Sequence, residues 1–257
     1  PDKGVYGFAL RGGTRGFNCY DRTLFSYLSD DVWVENESYR AFTKDGGCVY
    51  RLPEAKEALE FYKRVYEDIS PKDSVSWGFT EMVQGFMSGT CAILIQDNDV
   101  IATIEDGLDP ELWGVGNIPI GTSGFGTQTA GYGGWAMTAK TQYPEETAKF
   151  IKFLSNAENN GYFCRQNGLI PIHTTSIEQD EYFSSGAYTI FNKMNDLGCY
   201  RIFNNLGIGY DITATFNNDR DEYLQKYLLG EVDADTLLDY WASQWEKAVA
   251  DQGKLWE

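Results

Sequence analysis

The chain has little of what a metal centre or a disulfide scaffold requires. Of its 257 residues one is histidine, His173, and five are cysteines (Cys19, Cys48, Cys91, Cys164, Cys199) that occur singly, with no C-x-x-C pair. Zinc takes four nitrogen or sulfur ligands at short spacings, so no metal site is expected. An odd count of single cysteines is not a disulfide framework either. Cys91 sits in an apolar run and reads as a small core residue; one disulfide stays open, with no pair preferred. Basic residues are scarce as well. Lys and Arg number 21 against 38 Asp and Glu, a net charge of -17 that repels phosphate backbones and anionic headgroups and disfavours nucleic acid as a partner. No apolar run approaches the roughly 20 residues that span a bilayer. The glycine-rich stretch 11–20 lacks the G-x-x-x-x-G-K-[ST] pattern of a phosphate cradle. The acidic run Asp97, Asn98, Asp99 passes into Val100 and Ile101 instead of the further oxygen ligands of a calcium loop.

What is present is enough to build a core, with 42% hydrophobic residues in a chain long enough for one large domain or two small ones. Helices and strands alternate. Residues 5–10 read as an opening strand, 11–20 as a loop, 23–28 as the start of a helix and 44–47 as a turn. Pro53 opens an amphipathic helix with Ala55, Ala58, Leu59, Tyr62, Val65 and Tyr66 on its core face. Phe79, Met82, Val83, Phe86 and Met87 recur at helical spacing before Gly89, and residues 91–95 form a strand that ends in Gln96, Asp97, Asn98 and Asp99. A strand that runs out into hydrogen-bonding side chains in an alternating protein delivers them to a crevice at the sheet's carboxyl edge. A short strand is expected within 113–120 and another over 135–139, then a helix from Pro144. Ser155 and Glu158 form a capping box for the next helix, and residues 165–171 are extended. The closing helices cover 211–229, stopped by Gly230, and a segment capped by Asp233 in which Leu237, Leu238, Trp241, Trp245 and Val249 face inward.

The segment F-M-S-G-T-C-A-I-L-I, the Gly-Gly-Trp stretch with its P-E-E-T-A-K-F-I-K-F-L-S helix, and R-Q-N-G-L-I-P, in this order, resemble the family 1 extracellular solute-binding proteins of bacterial ABC importers, to which maltose-binding protein belongs. The resemblance covers most of the chain. It implies an α/β fold of periplasmic-binding-protein type II, with a mixed sheet flanked by helices and the N-terminal lobe largely absent. One lobe would comprise residues 4–130 and 206–257, and residues 131–205 would cross the hinge into the other. The missing first lobe and the lack of a signal peptide are expected of a chain whose start has been removed, from a protein anchored by lipid outside the cytoplasm. Expected partners are a sugar or oligosaccharide and the importer's membrane subunits, with the receptor a monomer and no cofactor.

The ligand-binding residues that follow are Arg15, Phe17 and Asn18 in the opening loop and Asp97, Asn98 and Asp99 at the strand end. The family places its hinge crossing at Tyr132, Gly133, Gly134 and Trp135, where glycines let backbone approach a ligand, and an aromatic platform at Phe216 with Asn217. Carbohydrate suits this set, since aromatic rings cover the apolar faces of sugars while carboxylates and amides take the hydroxyls. Arg11 and Arg15 keep an acidic sugar open. The alternatives are a glycoside hydrolase and a sugar-sensing interaction domain. On a continued strand Asp97 and Asp99 would lie on one side with Cβ atoms about 7 Å apart, whereas hydrolase carboxylates come from different elements on opposite sides of a bond. No second acidic cluster supplies the partner, and no catalytic residue is expected.

Overall fold

The computed structural model describes residues 4–29, 32, 41–43, 45–129, 131, 133–203 and 214–252. In chain order the elements are β1 (Tyr6–Phe8), α1 (Gly16–Tyr27), α2 (Pro53–Ile69), α3 (Phe79–Met87), β2 (Cys91–Ile93), α4 (Ile101–Gly107) and β3 (Gly126–Thr129). They continue with α5 (Pro144–Leu154), α6 (Ala157–Gln166), α7 (Thr174–Gln179), α8 (Tyr188–Met194), β4 (Tyr200–Phe203), α9 (Ala214–Leu228) and α10 (Ala234–Gln252). The chain divides into two compact units. The first is Pro1–Ile95, Ile118–Ala130 and Cys199–Glu257, and the second is Gln96–Asn117 and Gly131–Gly198.

The first unit is built on the amphipathic stripes of α1, α2, α9 and α10. In α2, Pro53 occupies the first turn, where its missing N–H costs nothing, and Ala55, Ala58, Leu59, Tyr62 and Tyr66 are buried. In α10, the Asp233 carboxylate accepts the Thr236 N–H at 2.7 Å, and Leu237, Leu238, Trp241 and Trp245 are buried. The Trp241 ring sits 5.3 Å from Tyr20 and 5.5 Å from Tyr50, at the centre of this core. Left-handed glycines end two helices, Gly89 (φ 74) after α3 and Gly230 (φ 80) after α9. A mixed sheet was expected; the described strands instead make two separate parallel pairs. β1 pairs with β2 in the register Tyr6 with Cys91, and β3 with β4 in the register Gly126 with Tyr200.

The second unit holds α4 to α8 around a smaller core of Ile101, Cys164, Phe183 and Tyr188. Residues 96–117, which the sequence groups with residues 4–130, cluster here for identifiable reasons. The Asn98 amide donates to the Gly168 carbonyl (2.6 Å), Tyr182 donates to the Glu105 carboxylate (2.9 Å), and Ile101 is buried beside Cys164. Residues 199–203 likewise belong to the first unit, through the pairing of β4 with β3.

Several expected elements differ. No strand forms at 135–139, because among the described residues the second unit holds no strand to pair with it. Residues 113–120 are also without regular structure. The cap of α6 is Asn156, whose side-chain oxygen accepts the Asn159 N–H at 2.9 Å. Ser155 is unavailable for that role because it closes α5, its own N–H returning to Ile151. Helix α6 runs on to Gln166, where an extended segment was expected. All five cysteines are free thiols.

Candidate functional site

In the first unit the opening loop is shorter than the sequence suggests, because α1 starts at Gly16. Residues 16–20 are helical, so Phe17 and Asn18 stand on the first turn of α1 and not in a loop. The glycines before it serve close packing. A Cβ on Gly12 would lie 2.6 Å from the backbone of Val75, and one on Gly13 2.4 Å from the Ser76 carbonyl. Gly12 and Gly13 donate their N–H groups to Ser74 and Trp77. Helix α1 has no acidic residue in its first turn, no basic residue in its last, and no side-chain cap from Arg15 at its head. Both ends are completed from afar. The Asp221 carboxylate on α9 accepts the Arg15 N–H (2.7 Å) and the Phe17 N–H (3.3 Å). At the other end the Arg201 guanidinium donates to the carbonyls of Leu28 and Phe25. A negative charge at the N-terminus and a positive one at the C-terminus both favour the helix dipole.

The three residues expected to bind ligand here have different surroundings. Arg15 is exposed, with φ 63, the one described residue other than glycine in the left-handed region. Asn18 is half-buried. Phe17 is buried in the core, with the Arg220 guanidinium 3.9 Å over its ring, so its aromatic face is already occupied. That guanidinium also pairs with Asp21 on α1 at 2.8 Å and donates to the Tyr50 hydroxyl at 2.6 Å, while Tyr50 donates to Asp21 at 2.8 Å. The buried pair is satisfied on several sides, as such a pair must be to survive out of water. Burial pushes the Tyr50 phenol well above its usual range. It also pushes the Asp221 carboxyl up, against the Arg15 and Phe17 N–H groups, which hold it down. Phe216 and Asn217 lie in the first turn of α9, and their side chains fall outside the described residues.

In the second unit, Asp97, Asn98 and Asp99 are not on a continuing strand. β2 ends at Ile93, and Asn98–Val100 is a single 3-10 turn leading into α4. The alternation that would have set two carboxylates on one side is therefore gone. Asn98 is committed to Gly168 (φ 67), where a Cβ would come 3.0 Å from the Asn98 carbonyl oxygen. Gly133 and Gly134 have nothing within 4 Å of a notional Cβ. Trp135, next to them, is 49% exposed and meets the Phe163 ring edge-on, with centroids 5.5 Å apart. Tyr132 lies outside the described residues. Among the described residues no group of three His, Cys, Asp or Glu side chains could hold a metal ion.

Two residues of these surroundings escape sequence reasoning, Asp221 and Phe163. Asp221 caps a helix that begins 205 positions earlier, a relation without local signal. A signal did exist for its neighbour. Arg220 falls in the stripe with Leu224, Tyr227 and Leu228, and Asp21 in the stripe with Phe17, Leu24, Phe25 and Leu28, so opposite charges occupy core positions of two helices.

Comparison with known proteins fits this geometry into a family. The family described as bacterial extracellular solute-binding protein matches residues 10–189, well over half of the chain. No curated protein matches it. Among solved structures, the GacH receptor of Streptomyces glaucescens GLA.O, described with acarbose, has a TM-score of 0.72 at 21% identity, covering 96% of this chain and 60% of that one. Maltose-bound MalE3 of T. maritima has a TM-score of 0.70 at 17% identity, covering 95% and 60%. A solute-binding protein of Thermotoga Lettingae TMO bound with alpha-D-tagatose has a TM-score of 0.73 at 15% identity, covering 96% and 60%. The chain thus spans about three fifths of the length of these structures. At such identities the likeness establishes the fold, that of the type II periplasmic binding proteins. With the match over residues 10–189, the chain belongs to the family of bacterial extracellular solute-binding proteins.

Proposed function

We propose that the chain is part of a carbohydrate receptor that closes two lobes around its ligand outside the cytoplasm and hands it to the membrane subunits of an ABC importer. In this reading Arg15, Asn18, Phe216 and Asn217 are the ligand-binding residues of the first unit. Asp97, Asp99, Tyr132, Gly133, Gly134 and Trp135 are those of the second. Phe17 and Asn98 act as supports within their own units, through Arg220 and Gly168. The observation that carries the reading is Trp135, a large apolar ring left half exposed beside two glycines at which an added Cβ would meet nothing within 4 Å. An indole face next to bare backbone suits the apolar face and adjoining hydroxyls of a pyranose. The acarbose, maltose and tagatose of the structural neighbours support the same ligand class.

The receptor works as a monomer and catalyses no reaction. Asp97 precedes and Asp99 lies within a single 3-10 turn, which gives no arrangement of acid and base across a glycosidic bond. Helix α5 supports a two-lobed whole. It has no buried residue, and Phe150 and Phe153 are 59% and 57% exposed, as expected of a helix whose apolar face belongs against another layer of the complete receptor. The test is a thermal-shift screen of the complete receptor with maltose, tagatose and longer oligosaccharides, followed by an assay for released reducing ends. A ligand at 100 times its Kd raises stability by about 2.7 kcal/mol. A positive shift without turnover is the expected result. No shift with any sugar, or turnover of one, overturns the reading.

A further inference from the structure

The cap on α1 is more than the minimum a helix end requires. One side-chain oxygen on one N–H is the usual arrangement, made by the residue at the head of the helix itself. Here the head residue is Arg15, held at φ 63 and ψ 25, and the cap arrives from another helix. Asp221 uses both oxygens, one on Arg15 N–H at 2.7 Å and the other on Phe17 N–H at 3.3 Å. A turn needed only for folding would be served without strain by glycine, which occupies the left-handed positions at 89, 168 and 230. A side chain held in that region marks a place where the surroundings impose the conformation.

We propose that Asp221 is a positioning residue for ligand binding: by fixing the backbone of Arg15 in its left-handed conformation, it aims Arg15 and Asn18 at the ligand. This rests on the carbohydrate-receptor reading. Two tethers make the control firm. Arg220, the adjoining residue of α9, pairs with Asp21 one turn further along α1, so α9 grips α1 at its first N–H groups and again at a buried carboxylate. The Asn18 N–H bonds to the Arg15 carbonyl at 3.1 Å, so a change in the Arg15 peptide passes directly to Asn18. The same helix carries Phe216 and Asn217 in its first turn, ahead of Asp221. One carboxylate therefore sets the register between the start of α1 and α9.

The experiment compares Asp221→Asn with Asp233→Ala, which removes an ordinary cap from α10 and touches no residue assigned to the ligand. The amide in Asp221→Asn retains one acceptor and turns an NH2 toward the second N–H. Amide exchange at Arg15, Gly16 and Phe17 is read by NMR, melting temperature by calorimetry, and affinity by titrating maltose into the complete receptor. The expected result is exchange at Arg15 and Phe17 at least tenfold faster, and maltose affinity at least tenfold weaker, in Asp221→Asn alone, although both variants lower the melting temperature. Wild-type affinity in Asp221→Asn, or an equal loss in Asp233→Ala, would show that Asp221 serves stability only. If the unaltered receptor ignores maltose, the carbohydrate reading fails for that sugar. The exchange arm then decides the positioning separately, and unchanged protection at Arg15 and Phe17 would overturn it.

Discussion

The two units solve the problem of burying apolar surface to very different degrees. In the first, four helices close on Trp241, Tyr20, Leu24, Leu59, Leu224 and Leu237, all essentially without solvent contact. In the second, Ile101, Cys164, Phe183 and Tyr188 make a small core, while Trp135, Met137, Phe150, Phe153, Tyr162 and Ile172 remain exposed. Sequence periodicity is equally clear in α2 and α5, yet α2 buries its stripe and α5 buries nothing. An amphipathic pattern states that a face is meant to be covered; it does not state by what.

Substitutions can break or sharpen this contrast. The largest effect is expected from Trp241→Ala, which empties the centre of the first core and costs about 3–5 kcal/mol by denaturant unfolding. Arg220→Met leaves Asp21 buried without its cation and costs about 3 kcal/mol or somewhat more, whereas the double change with Asp21→Leu recovers most of the loss. The third prediction concerns pH. Burial pushes the Cys48 thiol up to about 12. A raised folded-state value means that the stability it contributes is intact below the unfolded value near 8.5 and is lost as pH rises toward 12. Between these limits Cys48→Ala should flatten the fall in stability by about 1.4 kcal/mol per pH unit.

Asp233→Ala, loss of one exposed cap, should cost about 1 kcal/mol. The smallest effect is expected where the contrast is sharpest. Phe150→Ser with Phe153→Ser should change the stability of the 257-residue chain by no more than about 0.5 kcal/mol, because neither side chain leaves a packed environment. A loss of several kcal/mol from that pair would mean that α5 is buried in solution.

The helices that carry their own signals were legible in the sequence. Pro53 and the stripe behind it define α2, Gly89 and Gly230 end α3 and α9, and Asp233 opens α10. The start of α1 was not legible, since its cap is supplied by Asp221 and its approach glycines are explained only by the backbone of 74–77 packed against them. The strand at 135–139 failed for a related reason: Trp135 to Ala139 have strand-like composition, but pairing is a property of the neighbour. The candidate ligand-binding residues were chosen from the sequence by residue type. That Phe17 belongs to the core and that Asn98 is committed to Gly168 depended on contacts 203 and 70 residues away.

The proposed role of Trp135 as an aromatic platform is tested most directly by its fluorescence during titration. In the complete receptor, the sugar giving the largest thermal shift should change tryptophan emission saturably, and Trp135→Ala should abolish that change and weaken calorimetric affinity at least tenfold, with little effect on melting. Wild-type affinity in Trp135→Ala would contradict the account.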